Sequence, residues 1–344
     1  MFDCSNDVRA YHDQKVTLPR SEQTAMRDRR DANRRRLEKG LAEAGKPAPD
    51  EFVKQGSYAM RTMTQHPDND YDIDDGVYFL KEDLVGDRGA EMTSLQARQM
   101  VRDAVDDGSF ARAPEVRANC VRVFYQKGYH VDMPVYRTVE TDWETYYELA
   151  SSSGWKRSDA RDVTAWFEQA LKDSGDGAQE RRLVREIKKF ARSRASWRLL
   201  SGFGISVLVV ERVWLDASRE DKALYETMRA IRDRLTWNLV VAHPVTLGDT
   251  ITSGSADAKA AALRDKLTEA LGWLAPLFDP NCTRSEALAC WDKVFNTTFF
   301  SERGEAEART AAAVLRPVLT SAALIGLESA TSAAVLTGGG GRHA

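Results

Sequence analysis

Long apolar runs are missing from this 344-residue chain. The longest, LLSGFGISVLVV at 199–210, is far shorter than the roughly 20 residues a membrane-spanning helix needs, so no membrane contact is expected. Cysteines are few. Cys4, Cys120, Cys282 and Cys290 have no CxxC spacing, so they read as free thiols in a reducing compartment, not as zinc ligands. Charge of one sign is missing as well: 49 Lys and Arg stand against 52 Asp and Glu, a formal net charge of −3. No global field favours wrapping nucleic acid, and strong nucleic-acid binding is not expected. The N-terminus carries charged residues early and has no apolar stretch with a cleavage site, so it does not read as a signal peptide. These absences suit a cytoplasmic protein, and a monomer is expected.

What is present is a 42% hydrophobic, 29% charged chain, long enough for one large two-lobed enzyme or two ordinary domains. Residues 21–44 are dense in helix formers and arginines and predict a long, solvated helix, with Ser21 as its N-cap and Lys46-Pro47-Ala48-Pro49 as its end. Short β-prone runs follow: DIDDGVYFL at 72–80, CVRVFYQ at 120–126 and YHVDMPVY at 129–136, the last two joined by a Lys127-Gly128 turn. TSLQARQMVRDAVDD between the first two predicts a helix. The region reads as a mixed α/β unit around an antiparallel or mixed sheet.

Beyond about residue 159 the apolar spacing becomes helical. Leu183, Ile187, Phe190 and Ala191 share a face over 181–197. Leu224, Met228, Ile231, Leu235 and Leu239 do so over 221–239, and Ala260, Leu263, Leu267, Leu271 and Leu274 over 256–274. Trp143, Trp155 and Trp166 read as packing or cleft wall. The terminal TGGGGRHA at 337–344 reads as flexible.

Three separated segments carry chemistry: Gln55-Gly56-Ser57-Tyr58, Asp72-Ile73-Asp74-Asp75-Gly76 and Val131-Asp132-Met133-Pro134. Side chains alternate along a strand, so Asp72 and Asp74 share a face. Two carboxylates that close repel one another, and a divalent cation relieves the cost. Asp132 on a neighbouring strand would complete a triad able to hold two Mg²⁺ ions about 4 Å apart, with Mn²⁺ as a substitute, or to act as a general base. Gly56-Ser57 lets the backbone approach a triphosphate. Asp75 reads as facing the other side and capping a turn at Gly76.

The order of GS, DxD and a later acidic strand residue resembles the polymerase-β-type nucleotidyltransferase superfamily. QGSYAMRT, DYDIDDGVYF and YHVDMPVY resemble, more narrowly, the bacterial cGAS/DncV-like nucleotidyltransferases (CD-NTases). VREIKKFARS followed by Leu200-Ser201-Gly202 is similar to that family's spine helix and the turn after it, and ALACWDKVFN at 287–296 to its terminal helix. The resemblance implies an α+β, bilobed nucleotidyltransferase fold: a mixed-sheet core with the long N-terminal helix over 1–175, a helical lobe over 176–332, and a flexible tail over 333–344. It implies Asp72, Asp74 and Asp132 as metal ligands and catalytic residues, and Gly56, Ser57, Gln55, Lys188 and Ser201 as nucleotide contacts, with the choice between Lys188 and Lys189 open.

The implied activity joins nucleoside triphosphates, ATP and GTP, into a cyclic dinucleotide second messenger such as cyclic GMP-AMP. That product would act on a downstream effector in anti-phage defence, and the C-terminus would be available for conjugation or regulatory proteins. The alternatives are nucleotidyl transfer to RNA or protein, and a nucleotide-binding module without turnover.

Overall fold

The computed structural model describes residues 1–66, 71–86 and 89–328; the glycine-rich tail expected from residue 333 lies outside them. The chain opens with a short helix α1 (Ser5–Tyr11) and a long helix α2 (Arg20–Glu43), then β1 (Glu51–Gln55), the single turn α3 (Gly56–Ala59) and β2 (Tyr71–Leu80). After α4 (Ser94–Val105) come β3 (Glu115–Val116), β4 (Val121–Phe124), β5 (Tyr129–Met133), β6 (Val135–Glu140), β7 (Thr145–Ser151) and β8 (Gly154–Arg157). Helices follow: α5 (Ala160–Asp173), α6 (Gly177–Ala191), α7 (Gly202–Arg212), α8 (Glu220–Trp237), α9 (Ala258–Trp273), α10 (Arg284–Phe295) and α11 (Phe299–Glu328). Among the described residues no helix is long and apolar enough to cross a membrane.

The sheet is mixed, as expected of an α+β chain. β2 is its centre. One edge of β2 runs parallel to β5 and then β6, which continue one another across Pro134, with Asp74 opposite Asp132 and Val77 opposite Val135. The other edge pairs antiparallel with β1, placing Gln55 opposite Asp74. β4 closes antiparallel on β5 and β7 on β6. β2 is thus paired along both edges, which fits its near-continuous burial from Asp75 to Phe79.

One face of the sheet packs against α4 and α2. Thr93 caps α4 in a reciprocal capping box with Gln96. Ala97, Met100, Val101, Ala104 and Val105 then bury one stripe against Leu37 and Leu41 of α2 and Val77, Phe79, Val123 and Val131 of the sheet. At roughly 1.5–3 kcal/mol per fully buried aliphatic side chain, this stripe anchors the helix pair to the strands that carry the carboxylates.

α2 departs from expectation in three ways. It begins at Arg20 after Pro19, with no side-chain cap, so Ser21 lies in its first turn. It ends before the proline stretch: Gly45 adopts φ 62°, and the paired bonds Gly45 N–Ala42 O (3.2 Å) and Lys46 N–Leu41 O (2.9 Å) make a Schellman closure. It is also not a solvated helix, because Met26, Arg30, Asn33, Leu37 and Leu41 are buried. The arginines tie it to neighbouring segments. Arg34 Nε donates to Asp75 at 2.7 Å, Arg36 Nε to Asp107 at 2.9 Å, and the Arg29 guanidinium lies 3.8 Å over the Tyr129 ring. Long arginine stems bury while their heads find partners, so charge alone overstated this helix's exposure.

The helical part has its own core. The stripes of α6, α8 and α9 (Leu183, Ile187, Phe190; Leu224, Met228, Ile231, Leu235; Leu263, Leu267, Leu271) meet in one cluster. Leu239 falls beyond the end of α8 and is partly buried against the same cluster. Cys4, Val8 and Tyr11 of the N-terminal segment and Phe167 and Leu171 of α5 join it too. Trp155 and Trp166 pack against the cores, but Trp143 is 93% exposed at the β6–β7 turn, so it is neither packing nor cleft wall.

Candidate active site

The register of the sheet builds the site. Asp72 and Asp74 project from one face of β2, and Asp132 lies on the parallel neighbour directly opposite Asp74. Asp75, between positions 74 and 76, faces the other way. It is fully buried and bound by both guanidinium arms of Arg34. Gly76 is mid-strand, so Asp75 caps no turn there; it ties β2 to α2.

Gly56 stands over Asp74. Its φ is +61°, and a Cβ on it would lie 2.1 Å from Asp74 Oδ2. Both facts demand glycine: the left-handed backbone disfavours any side chain, and the carboxylate fills the space where one would go. Ser57 follows in α3.

Gly56, Ser57, Asp72 and Asp74 line one cavity of about 340 Å³ together with Lys188 from α6 and Gly202 and Phe203 from α7. The strand carboxylates and α6, more than 100 residues apart in sequence, therefore line one cavity. Thr62, Thr64, Tyr71 and Arg192 add further polar groups to its lining.

The electrostatics follow from this crowding. Burial, then the neighbouring Asp132 and Asp72, pushes the Asp74 carboxyl up to about 7. Across the cavity, burial and the nearby Arg192 and Arg185 push the Lys188 ammonium down to about 7. Lys188 Nζ donates to Thr62 Oγ1 at 2.8 Å. Lys189 lies away from this cavity and donates to the Gln65 carbonyl at 3.0 Å.

Other expected contacts sit differently. Ser201 is the N-cap of α7, accepting from Gly204 N at 3.2 Å; the residues after it, Gly202 and Phe203, line the cavity. Gln55 is buried and extends along the sheet away from the carboxylates. Its Nε2 donates to Tyr78 Oη at 3.3 Å and its Oε1 accepts from Tyr136 Oη at 3.2 Å. Asp132 is 8% exposed and is not part of the cavity wall. Both its oxygens accept from Arg122, Nε to Oδ1 and Nη2 to Oδ2, each at 2.7 Å. The same Nη2 lies 3.9 Å from Asp72 Oδ1, and His130 Nδ1 lies 3.4 Å from that oxygen.

The donor set suits a hard divalent cation: three carboxylates on adjoining strands, one of them held near neutrality by burial and by the other two. Among the described residues no three ligating side chains are already gathered at metal-binding spacing. Arg122, to which no motif in the sequence points, is the cation that Asp132 meets.

Residues 50–136 match the family described as cyclic GMP-AMP synthase DncV-like, nucleotidyltransferase domain. Over that stretch the chain is similar to a DncV-like nucleotidyltransferase domain. The stretch spans Gly56, the three aspartates and Arg122. A curated relative, the cyclic GMP-AMP synthase of Escherichia albertii, is 27% identical over 210 residues. The match takes in 58% of this chain but only 45% of that relative's length. Among solved structures, Escherichia coli DncV in its 3'-deoxy GTP bound form superposes with a TM-score of 0.68 at 17% identity, covering 86% of this chain and 96% of that one. Vibrio cholerae DncV, solved with the linear intermediate 5' pppA(3',5')pG, gives 0.64 at 18% identity, covering 82% and 91%. These superpositions show a shared fold running past the DncV-like domain into the helices.

Proposed function

We propose that the protein joins ATP and GTP into a cyclic dinucleotide, a purine product of the cyclic GMP-AMP kind, releasing pyrophosphate. The observation that carries this reading is the single cavity in which the Gly56-Ser57 turn, Asp72, Asp74 and Lys188 converge. The relative named cyclic GMP-AMP synthase, and the similar fold solved with a linear pppApG intermediate, support the choice of product class. A role in anti-phage signalling belongs to the same proposal.

Each group has a task in it. The backbone at Gly56-Ser57 and the first turn of α7 offer amides to a triphosphate, the arrangement that favours anions at a helix start. Lys188 adds a cation that is poorly hydrated because it is buried, so an arriving phosphate would hold its proton. Asp72, Asp74 and Asp132 would hold divalent ions, Mg²⁺ foremost. Bound there, the ions supply activation of the ribose hydroxyl and charge neutralisation of the departing pyrophosphate. Positioning in the cleft would account for most of the remaining rate.

We also propose a functional division near residue 175, with the sheet-bearing core before it and the helical lobe after it. The N-terminal segment and α5 lend their apolar faces to that lobe.

Incubation with all four labelled nucleoside triphosphates and Mg²⁺ tests the reading. A phosphatase-resistant small product, absent in Asp72→Asn, is the expected result. Label that enters only added RNA or protein would point to a different acceptor, and no incorporation at all would refute the reading.

A further inference from the structure

The carboxylate face of the sheet is a small grid fixed by strand register. One row crosses β4, β5 and β2 as Arg122, Asp132 and Asp74, and the next as Phe124, His130 and Asp72. A guanidinium is thus placed beside the acidic cluster by backbone pairing, not by a flexible loop. It spans two of the three carboxylates: both arms sit 2.7 Å from Asp132, and Nη2 is 3.9 Å from Asp72.

We propose that Arg122 is a built-in counter-ion that neutralises this cluster in the metal-free protein and must leave Asp132 as a divalent cation enters. The proposal rests on reading Asp72, Asp74 and Asp132 as the cation-binding carboxylates. The physical ground is charge competition. A planar fork bonded to both oxygens of a carboxylate is the strongest hold arginine has. A dication arriving at those oxygens meets a positive group at hydrogen-bond distance, in a site where burial weakens screening.

Exchange is sterically open. The Arg122 side chain is 28% exposed, and outside β4 the sheet continues, among the described residues, through the two residues of β3. Through the swap the carboxylates always face a cation, first the singly charged guanidinium and then the doubly charged ion. The rival role for Arg122 is orientation, in which it stays in place and aims Asp132 at the metal. The two roles predict opposite signs.

Mn²⁺ binding followed by electron paramagnetic resonance, with no nucleotide present, separates them. Removing a competitor in Arg122→Gln should tighten Mn²⁺ binding at least about fivefold, the lower end of ordinary coupling between two ligands; Arg122→Lys should fall between. Weaker binding in Arg122→Gln overturns the proposal in favour of orientation.

The wild-type protein supplies a test that does not depend on the variant folding. The ¹⁵N resonance of Arg122 Nε–H, assigned by its loss in Arg122→Lys, should shift on Mg²⁺ saturation. An unmoved resonance overturns the exchange. If instead the wild type binds Mn²⁺ no better than Asp72→Asn or Asp74→Asn, the carboxylate site itself is at fault and both readings fall together.

Discussion

Gly56→Ala isolates the role of the turn above the carboxylates. The substitution has two costs of different kind. Alanine at φ +61° pays about 1–2 kcal/mol for left-handed backbone. Its Cβ would also stand 2.1 Å from Asp74 Oδ2, more than 1 Å inside ordinary contact of about 3.5 Å. The atom that must yield is the tip of a side chain, so rotation relieves the clash and adds little to the stability cost. The carboxylate, however, is displaced by about 1 Å, and misplacement on that scale costs roughly 10²-fold in rate.

The structure supplies the control. Gly45 has nearly the same φ, +62°, with nothing within 4 Å of the place a Cβ would take. Gly45→Ala should therefore share the thermal penalty, about 2–8 °C from 1–2 kcal/mol at 2–4 °C each, without the rate loss. Differential scanning fluorimetry and labelled-nucleotide turnover on both variants read the two effects. Equal turnover in the two alanine variants would refute the argument that Gly56 is there for Asp74.

Other outcomes follow from the charges. The Asp74 carboxyl is raised to about 7, so its ionisation opposes folding: the cost builds as pH rises from the ordinary carboxylate range and is complete above about 7. In EDTA, Asp74→Asn should melt higher than wild type at pH 8, with the gap closing towards pH 4, while losing activity. Lys188 is lowered to about 7, so nucleotide binding at pH 8 should take up a proton. Calorimetry in buffers of different ionisation enthalpy detects this, and Lys188→Met should abolish the uptake. Removing Arg34 strands a fully buried Asp75, so Arg34→Ala should cost about 3–5 kcal/mol in urea unfolding, with part recovered on adding Asp75→Asn.

By itself the sequence determined the periodic elements and the identity of the chemical groups. The stripes of α6, α8 and α9, the alternation that sets Asp72 and Asp74 on one face, and the glycine before Ser57 are local patterns, and helix and strand geometry act on neighbours a few residues apart. Tertiary structure decided everything that depended on which chains of atoms meet. The β4–β5 turn shows why. A two-residue turn at Lys127-Gly128 would pair Arg122 with Met133, on the wrong face; the observed turn takes Gln126–Gly128 and pairs it with Asp132. One residue of register moves a side chain to the opposite face, so the guanidinium beside the carboxylates was not legible from composition or spacing. The same holds for Gln55, turned along the sheet to Tyr78 and Tyr136, and for the arginines of α2, whose partners Asp75 and Asp107 lie 41 and 71 residues away. Such contacts are set by the packing of distant segments, which no local preference specifies.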